Sequence, residues 1–424
     1  MSPFEIYKPG KNLHSNKPQM SDPHILKGRD ILVVGQEPWD IETGSNCKNI
    51  AIEFSKGNRV LYINSPLDRI TLHRHKADPK IIKRKNVING NENGLIQINE
   101  NLWNLYPDRM NESINWIKNK TIFNFLNKIN NKRFAKSIKK TIQLLGFTNI
   151  ILFNDNDIFR CFYLKELIKP TLSIYYCRDY MLGVDYWKKH GVNLEPKLIA
   201  KSDFCVANSI YLTKHCKKYN PLSYYIGQGC DLEVFNQNSL QLIPPDIAFI
   251  PKPIIGYVGA LNSLRLNIDI LESIALAHPD WNVVLVGPED EHFLKSKLHQ
   301  IKNIHFLGIK EIPALPQYIN QFNVCINPQI INEITIGNYP RKIDEYLAIG
   351  KPVVATKTEG MAIFKDYCYT AGTTAAFIKM IELALTEDND TLKQKRINFA
   401  STHSWKNSVG EIYTIINKKM IAPF

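Results

Sequence analysis

The stretch "NYPRKIDEYLAIGKPVVATKTEG", residues 338–360, reads as a helix running into a buried strand. Pro340 suits a first helical turn, where a missing N–H leaves no bond unmade. Gly350 is a natural stop, because glycine readily takes the left-handed conformation that closes helices. The apolar run "PVVAT" lacks polar alternation, as expected of a strand covered on both faces of a parallel sheet. Charge is crowded at the helix start. Lys342 and Glu345 lie three residues apart and so share a face. A lysine there suits a phosphate, and a carboxylate can accept hydrogen bonds from neighbouring ribose hydroxyls. The same spacing also describes a solvated ion pair, and spacing alone leaves both readings open.

Outward from this stretch, the second half of the chain repeats the pattern. Apolar runs "IIGYVG" (254–259), "NVVLVG" (282–287), "IHFLG" (304–308), "VCINP" (324–328), "PVVAT" (352–356) and "CYTA" (368–371) read as strands. Helical segments are expected near 266–277, 289–300, 314–321, 340–349 and 373–386, and the tail 393–419 reads as one basic helix containing Trp405. The first half carries "DILVVG" (30–35), "RVLYINSP" (59–66), "NIILFND" (149–155), "LSIYYCRD" (172–179), "DFCVAN" (203–208) and "SYYIGQG" (223–229). Strands alternating with helices imply parallel sheets covered on both faces. The fold class is therefore α/β, with two Rossmann-like domains facing a cleft. The proposed division is a polar N-terminal arm (1–28), a first domain (29–240), a proline-rich linker (241–253), a second domain (254–400) and a closing helix (401–424). Residues 67–148 resist this reading. They offer two basic amphipathic helices, "INWIKNKTIFNFLNKI" (114–129) and "RFAKSIKKTIQLLG" (133–146), and no obvious strand.

The 424 residues are too many for one ordinary core, and 44% hydrophobic content can supply two. The net charge of +13 points to an acidic partner or simply to solubility. The eight cysteines show no CxxC spacing, so neither a zinc site nor a disulfide framework is expected, and a reducing cytoplasm is. No secretory leader or membrane-spanning run is expected. The basic helices of 112–145, with Trp103, Trp116 and Phe123, suit either an ordinary surface or an anionic membrane surface at the inner face of the plasma membrane.

In open parallel sheets ligands bind beyond the carboxyl ends of the strands. There the second half places Gly259 and Arg265 in "GALNSLR", Ile309 and Lys310 in "GIKEIPALPQYI", and Arg341, Lys342 and Glu345 in the opening stretch. The first half places Glu37, Trp39 and Asp40 in "EPWDIETG" and Asp179 in "YYCRDY". "FNDNDIF" contains Asp155 and Asp157 in a D-x-D spacing, but an aspartate cluster also starts helices well.

"PRKIDEYLAIGKPVVAT" resembles the P-x-K-x-x-E-Y-L-A-x-G-K-P-V-V motif of GT-B glycosyltransferases, in particular glycosyltransferase family 4 and its relatives in bacterial polysaccharide and teichuronic-acid-type synthesis. "ANSIYLTKHCKKYNPLSYYIGQGCDLEVF", "IIGYVGALNS", "NVVLVGPED", "NIHFLGIKEIPALPQYINQFNVCINP" and "THSWKNSVGEIY" follow the family's order. The resemblance covers 170–420 well, 30–66 thinly and 67–148 hardly at all. It implies a nucleotide-sugar donor in the second domain and a glycan or lipid-linked acceptor in the first. It further implies transfer with retention of configuration and without a metal or other cofactor. Glu345 then matches the glutamate on the donor ribose, Lys342 the lysine toward the diphosphate or sugar, and Gly259 the glycine of the phosphate loop. The cationic catalytic candidates are Arg265 and Lys342, with Arg341 beside them. In an inverting reaction Asp40, then Asp179, would be the base. Two departures stand out. The family often has a further glutamate near the transferred sugar, and Gly337 stands at that position; Glu333 and Thr335 are the substitutes in the same loop. The family also often has both Arg and Lys after the first donor-domain strand, where this chain offers Arg265. The rival readings are a nucleotide-sugar epimerase of the same fold and a non-catalytic nucleotide- or nucleic-acid-binding protein. No nucleic-acid signature is present, so nucleic acid is not an expected partner.

Overall fold

The computed structural model describes residues 26–41, 45–236 and 242–421. Most of the polar arm and part of the linker segment lie outside these residues. Two sheets organise the described residues. The first has eight strands: β1 (Asp30–Val34), β2 (Arg59–Ile63), β3 (Leu95–Asn99), β4 (Leu102–Leu105), β5 (Ile151–Asp155), β6 (Leu172–Cys177), β7 (Phe204–Ala207) and β8 (Ser223–Tyr225). Their order is β3-β4-β2-β1-β5-β6-β7-β8. The second has six: β9 (Ile254–Val258), β10 (Asn282–Val286), β11 (Ile304–Gly308), β12 (Val324–Asn327), β13 (Val353–Thr356) and β14 (Tyr369–Ala371), in the order β11-β10-β9-β12-β13-β14. This is a doubly wound sheet whose strand order reverses beside β9, so a crevice opens at the ends of β9 and β12. All pairings are parallel except β3 with β4.

The strands form because nearly continuous apolar runs bury both faces. Val33, Tyr62, Phe153 and Tyr176 line one side of the first sheet, and Leu32, Leu61 and Leu152 the other. Helix Trp405–Ile421 returns to the first sheet and places Val409, Ile412 and Ile416 in its core. Cys230, Phe235 and Ile247 already belong to the core of the second sheet. The two passages between the halves touch each other, as the Cys230 amide donates to the His403 carbonyl at 2.8 Å.

Several expectations need correction. Residues 67–148 contain an antiparallel hairpin, β3 and β4, that the sequence reading missed. The two basic helices are one, Lys120–Leu145, capped by Asn119 and closed by Gly146. Residues 112–119 are not helical. Phe123 is buried and stacks on His190, and Trp103 packs edge-on against Phe147, which leaves Trp116 exposed. The expected helix 289–300 is two short turns, Glu291–Leu294 and Lys297–Gln300. The tail is two helices, Asp390–Ala400 and Trp405–Ile421, not one.

Candidate functional site

The opening stretch forms helix Lys342–Ala348, with Pro340 just ahead of it supplying a carbonyl to the Ile343 amide at 2.9 Å. One side of this helix is fixed to the end of β9. The Tyr346 hydroxyl accepts from the Val258 amide at 2.8 Å and donates to the Val258 carbonyl at 3.3 Å. The other side is fixed to the interdomain passage. Asp344 is fully buried, receives the Tyr339 hydroxyl at 2.7 Å, and lies 2.7 Å from His403 Nδ1. Burial pushes the Asp344 carboxyl up, against the opposing pull of His403 and Tyr339.

These anchors aim Lys342 at the crevice. Its Nζ donates to the Tyr257 hydroxyl at 2.8 Å and stands over that ring. It also abuts Gly259, where a Cβ would lie 3.2 Å from Nζ. Gly259 has φ +139°, a backbone that side chains resist, so glycine is required there for conformation as well as space. Glu345, one turn further on, is nearly buried and pairs with Arg341 at 3.1 Å. The Lys342–Glu345 ion pair left open by the spacing is therefore not formed. Lys342 faces the β9 loop, and the carboxylate faces Arg341.

The remaining second-half candidates spread out. Arg265 is exposed, and its backbone carbonyl accepts from Ile330. Ile309 is exposed, and Lys310 pairs with Asp246 at 2.6 Å. Gly337 is closed off by the first half. Its carbonyl accepts from Ser209 Oγ at 2.6 Å, and a Cβ would overlap the Tyr211 ring. The position where the family often has glutamate is thus occupied by an interdomain contact. Thr335 is fully buried and its hydroxyl holds its own loop through Ile330, while Glu333 pairs with Lys188 of the first half at 3.2 Å. Gly337→Ala should lower the melting temperature by the equivalent of ~1–3 kcal/mol, as overpacking does. A further Tyr211→Ala should recover most of that loss; an unchanged melting temperature in the single variant would mean that the two residues are not packed together.

In the first half the strand ends converge on a residue that the sequence reading passed over, Arg178 at the end of β6. It binds Asp155 at 2.8 Å, Glu37 at 3.1 Å and Asp179 at 3.3 Å, with only 11% of its side chain exposed. Glu37 Oε2 is buried without a hydrogen-bond partner, and Asp179 keeps about a third of its surface open. Asp40 belongs elsewhere, bonded to Arg84 at 2.7 Å, and Trp39 packs edge-on against Tyr62. The D-x-D aspartates diverge: Asp155 goes to Arg178, while Asp157 caps the following turn and pairs with Arg160. A Cβ on Gly183, four residues beyond Asp179, would lie 3.1 Å from Ile334 and 3.3 Å from Glu333, so the segment after β6 adjoins the second-half loop.

Residues 252–387 match the family described as glycosyl transferases group 1. A Bacillus subtilis (strain 168) protein provisionally named teichuronic acid biosynthesis glycosyltransferase TuaH is 27% identical over 242 residues, which is 53% of this chain and 59% of that protein's length. Among solved structures, the sucrose-phosphate synthase of Thermosynechococcus elongatus has a TM-score of 0.66 at 13% identity, covering 93% of this chain and all (100%) of that one. Anabaena Alr3699/HepE in complex with UDP has a TM-score of 0.64 at 13% identity, covering 92% and 100%. An α,α-trehalose-phosphate synthase (UDP-forming) from Burkholderia vietnamiensis has a TM-score of 0.68 at 9% identity, covering 93% and 100%. These likenesses establish the GT-B fold: two parallel-sheet α/β domains, each with its own core.

Proposed function

We propose that this GT-B chain, with its group 1 glycosyltransferase domain at 252–387, transfers a sugar from a nucleotide-sugar donor to a glycan or lipid-linked acceptor. The observation that carries the reading is the placement of Lys342 Nζ against Gly259 at the carboxyl end of β9, with Glu345 one turn along the same helix. A lysine over a glycine loop suits the diphosphate, and the carboxylate suits the ribose. UDP and UDP-glucose complexes of Alr3699/HepE support a nucleotide-sugar as the donor class. The teichuronic acid relative supports a cell-envelope glycan as the acceptor class.

In this reading the chemistry rests on stabilising the departing nucleoside diphosphate, a charge that grows in the transition state and is met by a fixed cation. Transfer proceeds with retention and without a metal. The Arg178 cluster, through Glu37 and Asp179, holds the acceptor's hydroxyls. Among the described residues no helix is long and apolar enough to cross a membrane. Membrane contact is assigned to the exposed Trp116, Ile122 and Phe125, which adjoin Lys118 and Lys120. The test is transfer from a panel of UDP-, GDP-, ADP- and dTDP-sugars to glycan acceptors in the presence of EDTA, with the product anomer read by NMR. Retained configuration and full activity are expected. An inverted product would return the base role to Asp179 or Asp40, and release of a free epimerised sugar would replace transfer by epimerisation.

A further inference from the structure

A cavity of about 720 Å³ lies outside the donor and acceptor sites, at the edge of the first sheet. Its floor is β8, the last strand of that sheet. One wall is helix Ile210–Lys217 and the other is helix Trp405–Ile421. Leu222 O accepts from Cys205 and Ile226 N donates to Ala207, so the even-numbered residues turn their backbone groups to β7. By the alternation of a strand, the exposed Tyr225 turns its N–H and C=O outward into the cavity, whereas Ser223 is buried and its hydroxyl donates to the Asn220 carbonyl. Both walls are cationic: Lys214 and Lys217 stand on one, Lys418 and Lys419 on the other, and among the described residues Glu411 is the one acidic lining residue. Lys214 also pairs with Glu359.

We propose that this groove receives an extended acidic peptide segment of another protein, added to β8 as a further strand. Successive side chains of such a segment point to opposite walls, so consecutive acids would meet lysines on both sides. The alternatives fit less well. A lipid tail would cover the outward backbone groups without bonding them, whereas a peptide strand would satisfy them. A second copy paired through its own β8 would set lysines against lysines. Edge lysines repel neutral or basic strands for the same reason that they attract an acidic one.

The test uses the full chain and a fluorescein-labelled peptide of repeating Thr-Glu-Glu, read by fluorescence anisotropy. Saturable binding is expected, with a repeating Thr-Lys-Lys peptide failing to bind. Lys217→Glu combined with Lys418→Glu should weaken binding about tenfold or more. Backbone N-methylation of alternate peptide residues should weaken it about tenfold by removing ladder hydrogen bonds, whatever the folding of any variant. Tyr225→Pro, which removes an outward N–H, should weaken it similarly, while Tyr225→Val should not. The proposal is overturned if the acidic peptide does not bind. It is overturned too if N-methylation has no effect, or if the charge-reversed variant instead loses binding to phosphatidylglycerol vesicles or a self-association.

Discussion

Lys342→Ala is expected to lower turnover in sugar transfer by about two to three orders of magnitude, the loss seen when one preorganised group facing a developing charge is removed. The cause is geometric. Lys342 Nζ is held by the Tyr257 hydroxyl at 2.8 Å and pressed against Gly259, on a helix tied to β9 through Tyr346. A cation so fixed needs no reorganisation as the diphosphate departs. The loss should fall on kcat more than on KM, because the charge it meets is larger in the transition state than in the bound donor. Lys342→Arg should recover little, since a planar guanidinium does not place its charge where the ammonium stands, against Tyr257 and Gly259. Steady-state kinetics decide the matter, and activity within about threefold of the parent would remove Lys342 from the mechanism.

The second large effect is on stability. Arg178→Met should cost ~3–5 kcal/mol, the range for stripping one partner from a buried ionic group. Asp155 is fully buried and relies on Arg178, while burial and the nearby Glu37 carboxylate push its own carboxyl up. Its folded-state pKa lies above the unfolded value. The stability it contributes is therefore complete below the unfolded pKa, near 4, and is lost as pH rises through the folded one. Without Arg178 the folded pKa rises further, so the deficit should be largest at neutral pH and shrink toward pH ~4. Asp155→Asn in the same background should restore much of the loss. Melting curves across pH test this, and a deficit that does not vary with pH would mean that Arg178 acts through packing instead.

The fold was most legible where strands are buried. β9, β10, β12 and β13 are nearly continuous buried apolar runs, and each second-half strand appears within a few residues of its expected place. The hairpin was hidden because β3, "LIQIN", is a short edge strand left largely exposed, and its brief Ile96/Ile98 alternation lies in a Lys- and Asn-rich segment. Helix Lys120–Leu145 looked like two because "NKINNK" interrupts its apolar stripe. The structure buries those asparagines and satisfies them: Asn127 and Asn131 donate to the Phe159 carbonyl, and Asn130 to that of Glu112. A polar residue with a distant partner cannot be told from a surface residue by periodicity. The same limit applies to the site. Lys342 and Glu345 stood out through their spacing and the motif around them. Tyr257, Tyr211 and Arg178 carry no local signal, because their roles come from strands and loops remote in the chain. The vacant glutamate position was visible as Gly337, but its reason, the Tyr211 ring, exists only in three dimensions.

The donor seat is tested most directly by thermal shift of the parent chain and of Glu345→Ala with UDP, GDP, ADP and dTDP and their sugars. One nucleoside diphosphate should stand out in the parent, adding about 2.7 kcal/mol of stability at a hundredfold excess over its Kd. Loss of the Glu345 carboxylate should weaken that same nucleotide about tenfold or more, as expected for hydrogen bonds to a charged group. No stabilisation of the parent by any nucleotide, or equal binding by Glu345→Ala, would contradict the placement of the donor on this helix.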